Sequence, residues 1–410
     1  MLIERVSVVV QLSWLWGTFR FILTQCSRYL SATCAQNSSM SMDITFLGTG
    51  SAYPSPNRGA SALVLRTEGE SWLFDCGEGT QTQFMRSSLK ASKITKVFIS
   101  HLHGDHLFGL PGLLCTISLN SNPQPDQPVP CVDVYGPRGL RHFVRVALEL
   151  SSSQLLFPYA VHELEPSDEQ CPVEGRLSPA LTSSSDALHP QERPGRTVRL
   201  DPHTDCYDLV DDTQFVVKAF KLYHRVPSFG FSVEERERPG RLNTDLLKEL
   251  GLKPGPLYGR LKNGESVTLH NGRVLTASEV LEPALKGRKV CVFGDCSGAL
   301  GEGFKSVCQG ADVLVHEATL EDGQQEKAVD HGHSTPSMAA AVALACGAHT
   351  LVLHHFSQRY KPEALRRDGD DDVTELKRQA ELVLQGSSTE VILAEDFLTL
   401  PVALKKNLMR

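Results

Sequence analysis

The sequence predicts an α/β sandwich in which two β-sheets lie inside and helices cover them on the outside. From Asp43 onwards, many short apolar runs typical of β-strands are separated by Gly, Pro and Asn turns. Helical patterns lie between several of these runs, and no internal repeat is visible. With 41% hydrophobic and 22% charged residues in 410, the chain can bury a sizeable core, in one large domain or two ordinary ones.

The predicted elements follow the chain in order. The first half gives DITFLGTG, SALVLR and SWLFDCG as strands, EGTQTQFMRSSLK as a helix, KVFIS as a strand, LFGLPGLLCTISL as a helix, VDVYGP as a strand and RGLRHFVRVALEL as a helix. The second half is mostly β-type, with TQFVVKAFKLYH, FGFSVEE, KVCVFGD, DVLVHEA, TLVLHHF and EVILAED, and with helical patterns at 335–346 and 374–385. Residues 166–205 are rich in Pro, Ser and charge without an apolar period, which predicts a surface insertion.

The net charge and the cysteine content argue against two classes of protein: those that bind polyanions through their whole surface and those built on a disulfide framework. The formal net charge of −7 and the pI near 6.1 argue against binding a polyanion through the whole surface. Any such contact therefore needs a local basic patch. The 11 cysteines are an odd number and show no CxxC spacing, which indicates reduced thiols in a cytosolic type of compartment, not a disulfide framework.

Residues 1–39 differ from the remainder of the chain, because they are apolar, rich in Ser and Thr, and contain three arginines against one acid. Arg20 interrupts the apolar run, which argues against a membrane span, and no other segment is long enough for one. Two interpretations stay open: a transit peptide, or translation that begins at Met40 or Met42. We therefore separate residues 1–39, as an N-terminal extension, from a domain at 40–410.

A histidine-rich motif stands at the end of a predicted buried strand. SHLHGDHLFGL contains His101, His103, Asp105 and His106. Residues two apart in an extended or turning chain point to the same side, so the first two histidines can converge on one point while the last two residues aim elsewhere. This arrangement suits two neighbouring ions, and imidazole with carboxylate favours zinc or another first-row divalent metal. The alternative is a surface turn that happens to be rich in histidine.

Further candidate ligands stand at other predicted strand ends. They are His224 in KLYHRVPSFGF, Asp295 in KVCVFGDCSG, and either His354 or His355 in LVLHHFSQRY. Taken singly, a strand-end histidine is more often structural, and an Asp before a turn can form an Asx turn. Their joint occurrence favours the metal site, because the first motif requires partners of these types.

With these residues in place, the chain resembles the metallo-β-lactamase superfamily and, more closely, the short form of the tRNase Z (ribonuclease Z) family. The blocks that match are FLGTGSAYPSPNRGASALVL, LFDCGEGTQTQ, SHLHGDHLFGLPGLL, HRVPSFGF, FGDCSG, HEATL, GHSTP and LVLHHFSQRY, in order over about residues 42–400. The resemblance implies a metallo-β-lactamase αββα sandwich with two central mixed sheets, outer helices and a protruding flexible arm.

The resemblance also implies roles for the candidate residues. One Zn²⁺ would be bound by His101, His103 and His224, and a second by Asp105, His106 and His355, with Asp295 bridging both. His355 is preferred to His354 because it directly precedes FSQRY, and only one of the two can point at the ions, since adjacent strand residues face opposite ways. Asp105 would also accept a proton, and His333 in GHSTP would be a proton donor near the scissile phosphate. Glu317 in HEAT either orients His333 or is a buried structural carboxylate.

A basic segment separates His224 from Asp295. Between Lys218 and Lys262 the chain has ten Lys or Arg and five Asp or Glu, which suits contact with phosphates, although a solvated charged loop is the alternative. In the family this region is the arm that grips tRNA, here 234–266, and the arm of one subunit serves the active site of its partner, so a homodimer is implied. The predicted substrate-binding residues are Arg236, Arg238, Arg241, Lys253, Gly255, Pro256, Arg260 and Lys262.

The implied activity is removal of the 3′ trailer from precursor tRNA by cleavage after the discriminator nucleotide, which leaves a 3′-OH on the tRNA and a 5′-phosphate on the trailer. Another hydrolase of the superfamily, acting on thioesters, lactones or small phosphodiesters, is one alternative, and an inactive RNA-binding scaffold is the other. The expected location is the cytoplasm and nucleus, or the mitochondrion if residues 1–39 are a transit peptide, with no stable membrane association.

Overall fold

Two mixed β-sheets form the centre of the structure, a computed structural model that describes residues 42–120, 130–178, 187–369 and 371–404. The predicted extension at 1–39, and residues 179–186 of the predicted insertion, lie outside the described residues.

The strands and helices agree with most of the predicted elements. The strands are β1 Asp43–Gly48, β2 Ala62–Arg66, β3 Ser71–Phe74, β4 Ile94–Phe98, β5 Val132–Pro137, β6 Tyr159–Leu164, β7 Glu192–Arg193, β8 Thr197–Val198, β9 Tyr207–Asp211, β10 Phe215–Tyr223, β11 Ser228–Glu235, β12 Val267–Thr268, β13 Val274–Leu275, β14 Lys289–Val292, β15 Gly298–Ala299, β16 Val313–Glu317, β17 Thr350–His354, β18 Tyr360–Lys361, β19 Asp371–Asp372, β20 Glu390–Leu393 and β21 Thr399–Pro401. The α-helices are α1 Thr80–Arg86, α2 Gly104–Leu107, α3 Leu110–Asn120, α4 Leu140–Leu150, α5 Thr244–Glu249, α6 Pro256–Lys262, α7 Ala277–Val280, α8 Gly303–Cys308, α9 Gln325–Asp330, α10 Pro336–Cys346 and α11 Val373–Val383.

Both sheets combine parallel and antiparallel pairs. The first has the order β21-β1-β2-β3-β4-β5-β6-β7, with β8 also paired to β6, and it is parallel from β3 to β6. The second has the order β15-β10-β11-β14-β16-β17-β20, with β9 paired to β10. Strand β11 is antiparallel to both β10 and β14, and β14, β16 and β17 are parallel. The carboxyl ends of β10, β14 and β17 therefore lie at one edge of the second sheet.

The apolar side chains divide into layers that confirm the predicted αββα sandwich. Facing sides of the sheets share one core, in which Phe74 and Phe98 of the first sheet meet Phe231 of the second. A second cluster joins the outer face of the first sheet to α3 and α4, and a third joins the outer face of the second sheet to α8, α10 and α11. Within the described part of the chain, no helix is long and apolar enough to cross a membrane.

The basic segment forms a small folded unit, which the sequence analysis did not anticipate. Helices α5, α6 and α7 and the β12–β13 hairpin enclose a separate apolar cluster, which consists of Leu247, Leu252, Leu261, Val267, Leu269, Leu275 and Val280. The predicted arm at 234–266 was therefore drawn too short, because its core requires residues as far as Val280. An isolated antiparallel bridge between Arg238 and Leu285 stands where this unit joins the rest of the domain, and a second bridge, Leu242 with Leu281, lies within the unit. We use the word arm for residues 239–284.

The described part of 166–205 does not lie wholly on the surface. Strands β7 and β8 pair with β6 and extend the first sheet. Glu192 is buried and forms a bidentate ion pair with Arg145 of α4, at 2.8 and 2.7 Å. Gln170 is also buried, and its side chain donates to the carbonyl of Ser228 at 2.7 Å. The segment lacks an apolar period because polar pairs, more than apolar ones, attach it to the core.

Candidate metal centre

All seven predicted metal ligands meet at one edge of the sandwich. Four of them, His101, His103, Asp105 and His106, occupy the turn after β4 of the first sheet and the short helix α2. The other three follow strands of the second sheet, with His224 after β10, Asp295 after β14 and His355 after β17. The chain segments that follow the two sheets approach closely here. A Cβ added to Gly294 would lie only 2.5 Å from Cβ of Ser100, so the approach requires glycine.

The ligand atoms form two groups. In the first, Nδ1 of His103 lies 3.1 Å from Nε2 of His101 and 3.1 Å from Nε2 of His224. In the second, Nε2 of His355 lies 3.1 Å from Nε2 of His106 and 3.4 Å from Oδ2 of Asp105. The sequence prediction assigned these same two groups to two ions.

Asp295 stands between the two groups. Its Oδ2 lies 3.8 Å from Nε2 of His101 in the first group. The same oxygen lies 3.4 Å from Nε2 of His106 and 3.3 Å from Nε2 of His355 in the second. One carboxylate therefore faces both groups, as the predicted bridge requires.

Outer hydrogen bonds fix which imidazole nitrogen faces the centre. The Nδ1–H of His224 donates to the carbonyl of Gly332 at 2.6 Å, and Nδ1 of His106 lies 2.7 Å from Oδ2 of Asp75. Nδ1 of His355 lies 3.1 Å from Oγ1 of Thr319, whose hydroxyl donates to Glu317 at 2.5 Å. In all three histidines the Nε2 lone pair is then directed into the centre.

This arrangement fits zinc on grounds of distance and of hydrogen bonding. Zinc binds imidazole nitrogen at about 2.0–2.1 Å with tetrahedral geometry, so neighbouring ligand atoms lie about 3.3 Å apart, close to the spacing observed. When both rings are neutral with Nδ1–H directed outward, the facing Nε2 atoms of His106 and His355 both carry lone pairs and cannot bond each other. A cation between them resolves the contact.

The protonation states of the first ligand group also suit metal binding, because imidazole must be neutral to ligate. Burial lowers the pKa of His101 and of His103, and it lowers the pKa of His224 to about 4. Burial alone would raise the pKa of Asp105, but the neighbouring imidazoles His106 and His355 lower it below its usual range. The first group therefore offers neutral imidazoles at neutral pH, beside the ionised Asp105. In the second group, burial would lower the pKa of His106, but the carboxylates of Asp295, Asp105 and Asp75 raise it, so a metal ion bound there would displace the proton of His106.

Asp75 is a residue of this centre that the sequence analysis missed. It directly follows β3, has a left-handed φ of 56°, and accepts hydrogen bonds from the backbone N–H and hydroxyl of Ser100 at 2.7 and 2.8 Å. Through these bonds and its contact with His106 it orients the histidine-rich turn. A signal was present, since an acid directly after a buried strand is the pattern that identified Asp295.

His333 and Glu317 lie beside the predicted ligands. Nδ1 of His333 is 3.1 Å from Oε1 of the fully buried Glu317 and 3.7 Å from Oδ2 of Asp295. Burial lowers the pKa of His333, but the Glu317 carboxylate more than offsets this effect and raises the pKa to about 9. Glu317 therefore contacts His333, as one of its two predicted roles requires, and keeps the imidazole charged at neutral pH.

The adjacent residues His354 and His355 point to different parts of the structure. His355 joins the second ligand group and has a left-handed φ of 57°. His354 ends β17 and lies 6.3 Å, ring centre to ring centre, from Phe46 of the core between the sheets. Its place outside the ligand groups agrees with the choice of His355.

A cavity of about 360 Å³ opens onto the centre. Its lining includes ligand groups, His333, and side chains that the sequence analysis did not select, among them Glu78, Phe108 and the exposed Arg225. A cation and an aromatic ring beside the ligands suit a substrate that has both negative charge and flat apolar groups.

The predicted substrate-binding residues of the basic segment divide into three sets. Arg236 and Arg238 form ion pairs with Asp211 and Glu235 where the arm begins, and Arg260 pairs with Glu265 at 2.8 Å. Gly255 and Pro256 begin α6, where proline is favoured. In the described chain the cations exposed without an ion pair within 4.0 Å are, from this set, Arg241, Lys253 and Lys262.

Comparisons with known proteins agree with this geometry. Residues 42–129 match the family model described as anti-Pycsar protein Apyc1. The chain is 58% identical over 369 residues to zinc phosphodiesterase ELAC protein 1 of Homo sapiens. The match covers 90% of this chain and 100% of that protein. The chain is 38% identical over 364 residues to ribonuclease BN of Cronobacter sakazakii, across 88% of this chain and 100% of that protein.

A solved structure extends the comparison to the fold. The crystal structure of human tRNase Z, short form, superposes with a TM-score of 0.61 and 46% identity. The match covers 88% of this chain and 100% of that one.

Proposed function

Because the chain belongs to the tRNase Z family of the metallo-β-lactamase superfamily, we propose that its histidine and aspartate cluster binds two zinc ions per subunit and cleaves precursor tRNA after the discriminator nucleotide. The protein is a zinc-dependent endoribonuclease of tRNA 3′-end maturation. The observation that carries the proposal is the paired ligand groups that share Asp295.

The residues around the centre divide the work of hydrolysis. When bound, zinc acts as a Lewis acid that lowers the pKa of water and offsets charge on phosphoryl oxygens. Asp105 is ionised and held by the N–H of Ala52 at 2.7 Å, so it can take the proton of the attacking water. The oxygen of that water bonds to phosphorus as the bond to the discriminator O3′ breaks. His333, charged beside Glu317, can protonate the departing O3′.

We expect His333→Ala to lower kcat by roughly a hundredfold or more, the usual scale of general acid catalysis. Zinc content should stay unchanged, because His333 is not one of the seven proposed ligands. Steady-state cleavage of a precursor tRNA and metal analysis of the purified variant measure both quantities. His331→Ala is the matched control, since His331 is an exposed histidine of the same loop that bonds the carbonyl of Lys327. Loss of zinc in His333→Ala would make that residue a ligand or a structural support.

The arm supplies the second part of the proposal. We propose that its exposed cations, Arg241, Lys253 and Lys262, meet tRNA phosphates, and that the enzyme is a homodimer in which each arm serves the partner's active site. Support comes from the separate core of the arm, which lets it project as a unit, and from the absence of any proposed metal ligand within residues 239–284.

The structure defines a clean deletion of the arm. Arg238 and Leu285 exchange both backbone hydrogen bonds, at 3.0 and 2.8 Å, so a two-residue Asn-Gly turn can join them in place of residues 239–284. We expect this variant to keep hydrolysis of bis(p-nitrophenyl) phosphate and to lose precursor tRNA cleavage mainly through a raised KM, because uniform binding energy is removed. If the arm-deleted variant and the intact protein process precursor tRNA equally well at physiological salt, the arm does not bind tRNA.

Two further measurements refine this test. Alanine at Arg241, Lys253 and Lys262 should flatten the salt dependence of tRNA binding. The slope of the logarithm of the binding constant against the logarithm of the salt concentration should fall by about one for each cation that meets a phosphate. The control is alanine at Lys90 and Lys93, exposed lysines outside the arm. Mixing the arm deletion with Asp295→Ala, which keeps its arm, should restore processing to about a quarter, since only mixed dimers hold a complete site. No restoration would place each arm on its own active site.

A further inference from the structure

An exposed aromatic side chain borders the metal cavity. Phe108 is 62% exposed, and it lines the same cavity as His103, Asp105 and Asp295. The proposed steps of hydrolysis do not use it, because a phenyl ring neither binds zinc nor moves a proton. Exposing so large an apolar group beside a catalytic centre forfeits the free energy of its burial unless a ligand covers it.

Local structure fixes the ring of Phe108 in this position. The residue caps helix α2, three positions after Asp105 and four after Gly104, so all three side-chain positions share one helix face. A Cβ on residue 104 would lie 2.3 Å from the ring of Phe108. The ring therefore packs against the bare backbone of Gly104 and is held at the cavity wall before substrate arrives.

The cavity wall continues into an apolar groove beyond Phe108. The groove is lined by Leu102, Leu107, Phe143 and Val146 together with Phe108 itself. The ring of Phe143 lies 6.4 Å from that of Phe108, centre to centre, and only 17° from parallel with it. Phe108 thus lines both the catalytic cavity and the groove, which places the two side by side.

We propose that Phe108 stacks on the base of a nucleotide that flanks the scissile phosphate and directs that base into the groove. This inference rests on the proposed function, because it assumes that the scissile phosphate of an RNA occupies the metal cavity. Unpaired bases at RNA ends are commonly stacked on aromatic side chains. Such stacking accepts every base, since each has a π-face, so the contact requires no fixed sequence near the cut.

Substitutions of Phe108 separate stacking from simple apolar contact. Phe108→Leu keeps an apolar side chain but removes the flat ring, and it should lower kcat/KM for precursor tRNA by roughly tenfold or more. Phe108→Tyr retains the ring and should stay within about twofold of the wild-type protein. Leu150→Ala is the control, because Leu150 is 84% exposed at the end of α4 and should leave processing unchanged. Equal losses in Phe108→Leu and Phe108→Tyr would overturn the proposal.

Changes in the RNA test the same contact from the other side. Two RNAs would each contain one abasic residue, at the discriminator or at the first trailer nucleotide. One of the two should be cleaved more slowly by the wild-type protein than the intact RNA. On that RNA, Phe108→Leu should lower kcat/KM by less than about a further twofold, because the base that it would contact is already missing. An undiminished effect of Phe108→Leu on both abasic RNAs would overturn the stacking. The experiment distinguishes the two ways in which the proposals can fail. If the wild-type protein does not cleave intact precursor tRNA, the proposed function is wrong; if it does but the abasic RNAs remain fully sensitive to Phe108→Leu, only the stacking is wrong.

A spectroscopic measurement needs no turnover. 2-Aminopurine placed at the sensitive position should lose fluorescence on binding to Asp105→Ala protein, because stacking on an aromatic ring quenches it. Adding Phe108→Leu to that protein should restore most of the signal. Equal quenching with and without the Phe108 ring would overturn the proposal.

Discussion

Replacing Asp295 with alanine is expected to remove both zinc ions and to abolish processing of precursor tRNA. The carboxylate oxygen faces both ligand groups, within 3.8 Å of His101 and 3.3 Å of His355, so each ion loses a ligand in the same substitution. The imidazoles of both groups also lose a carboxylate charge that lies beside them. We expect kcat/KM to fall by more than roughly a thousandfold, because water is no longer activated.

Metal analysis and cleavage assays on the purified variant test this expectation together. Asp368→Ala is the matched control, since Asp368 is an exposed aspartate remote in sequence from every proposed ligand. Asp295→Asn keeps the shape of the side chain and tests the charge alone. A variant that retains two zinc ions and full activity would show that Asp295 is not a bridge.

Asp105→Ala is expected to separate catalysis from binding. We expect kcat to fall by roughly 10²- to 10⁴-fold, the range found for positioned proton acceptors, because the variant has no carboxylate to receive the proton of water. Affinity for precursor tRNA should change far less, since the proposed phosphate contacts lie in the arm. Single-turnover cleavage and equilibrium binding in the same buffer measure the two effects. Parallel losses in both would contradict the role of Asp105 as proton acceptor.

The fold could be predicted well from the sequence because its strands are short, apolar and clearly bounded. The ligand positions were also predictable, since costly polar residues at the ends of buried strands require partners. The choice of His355 over His354 came from its place directly before FSQRY, and strand alternation was given as the reason why only one of the two could be a ligand. The structure shows a different cause. His355 stands just beyond β17 with a left-handed φ, so a turn of the backbone, not the pleat, aims its ring.

Other features depend on contacts between distant parts of the chain, and a pattern in one segment does not contain them. Asp75 acts on His106 because parallel pairing of β3 with β4 brings their carboxyl ends together. Phe108 looked like part of an apolar helix, and only the packing on Gly104 shows it at the cavity wall. The core of the arm was missed because its leucines and valines are spread over two helices and a hairpin, too short for a visible period.

The division of the ligands between the two sheets links zinc supply to the survival of the fold. Ions held by side chains from both halves of the sandwich bind the native chain far better than an unfolded one, in which those halves are apart. By mass action, each tenfold rise in free zinc above the dissociation constant then adds about 1.4 kcal/mol per site to the free energy of unfolding. We therefore expect the purified protein to unfold at a lower temperature after a chelator removes zinc, which thermal unfolding with and without added zinc would measure.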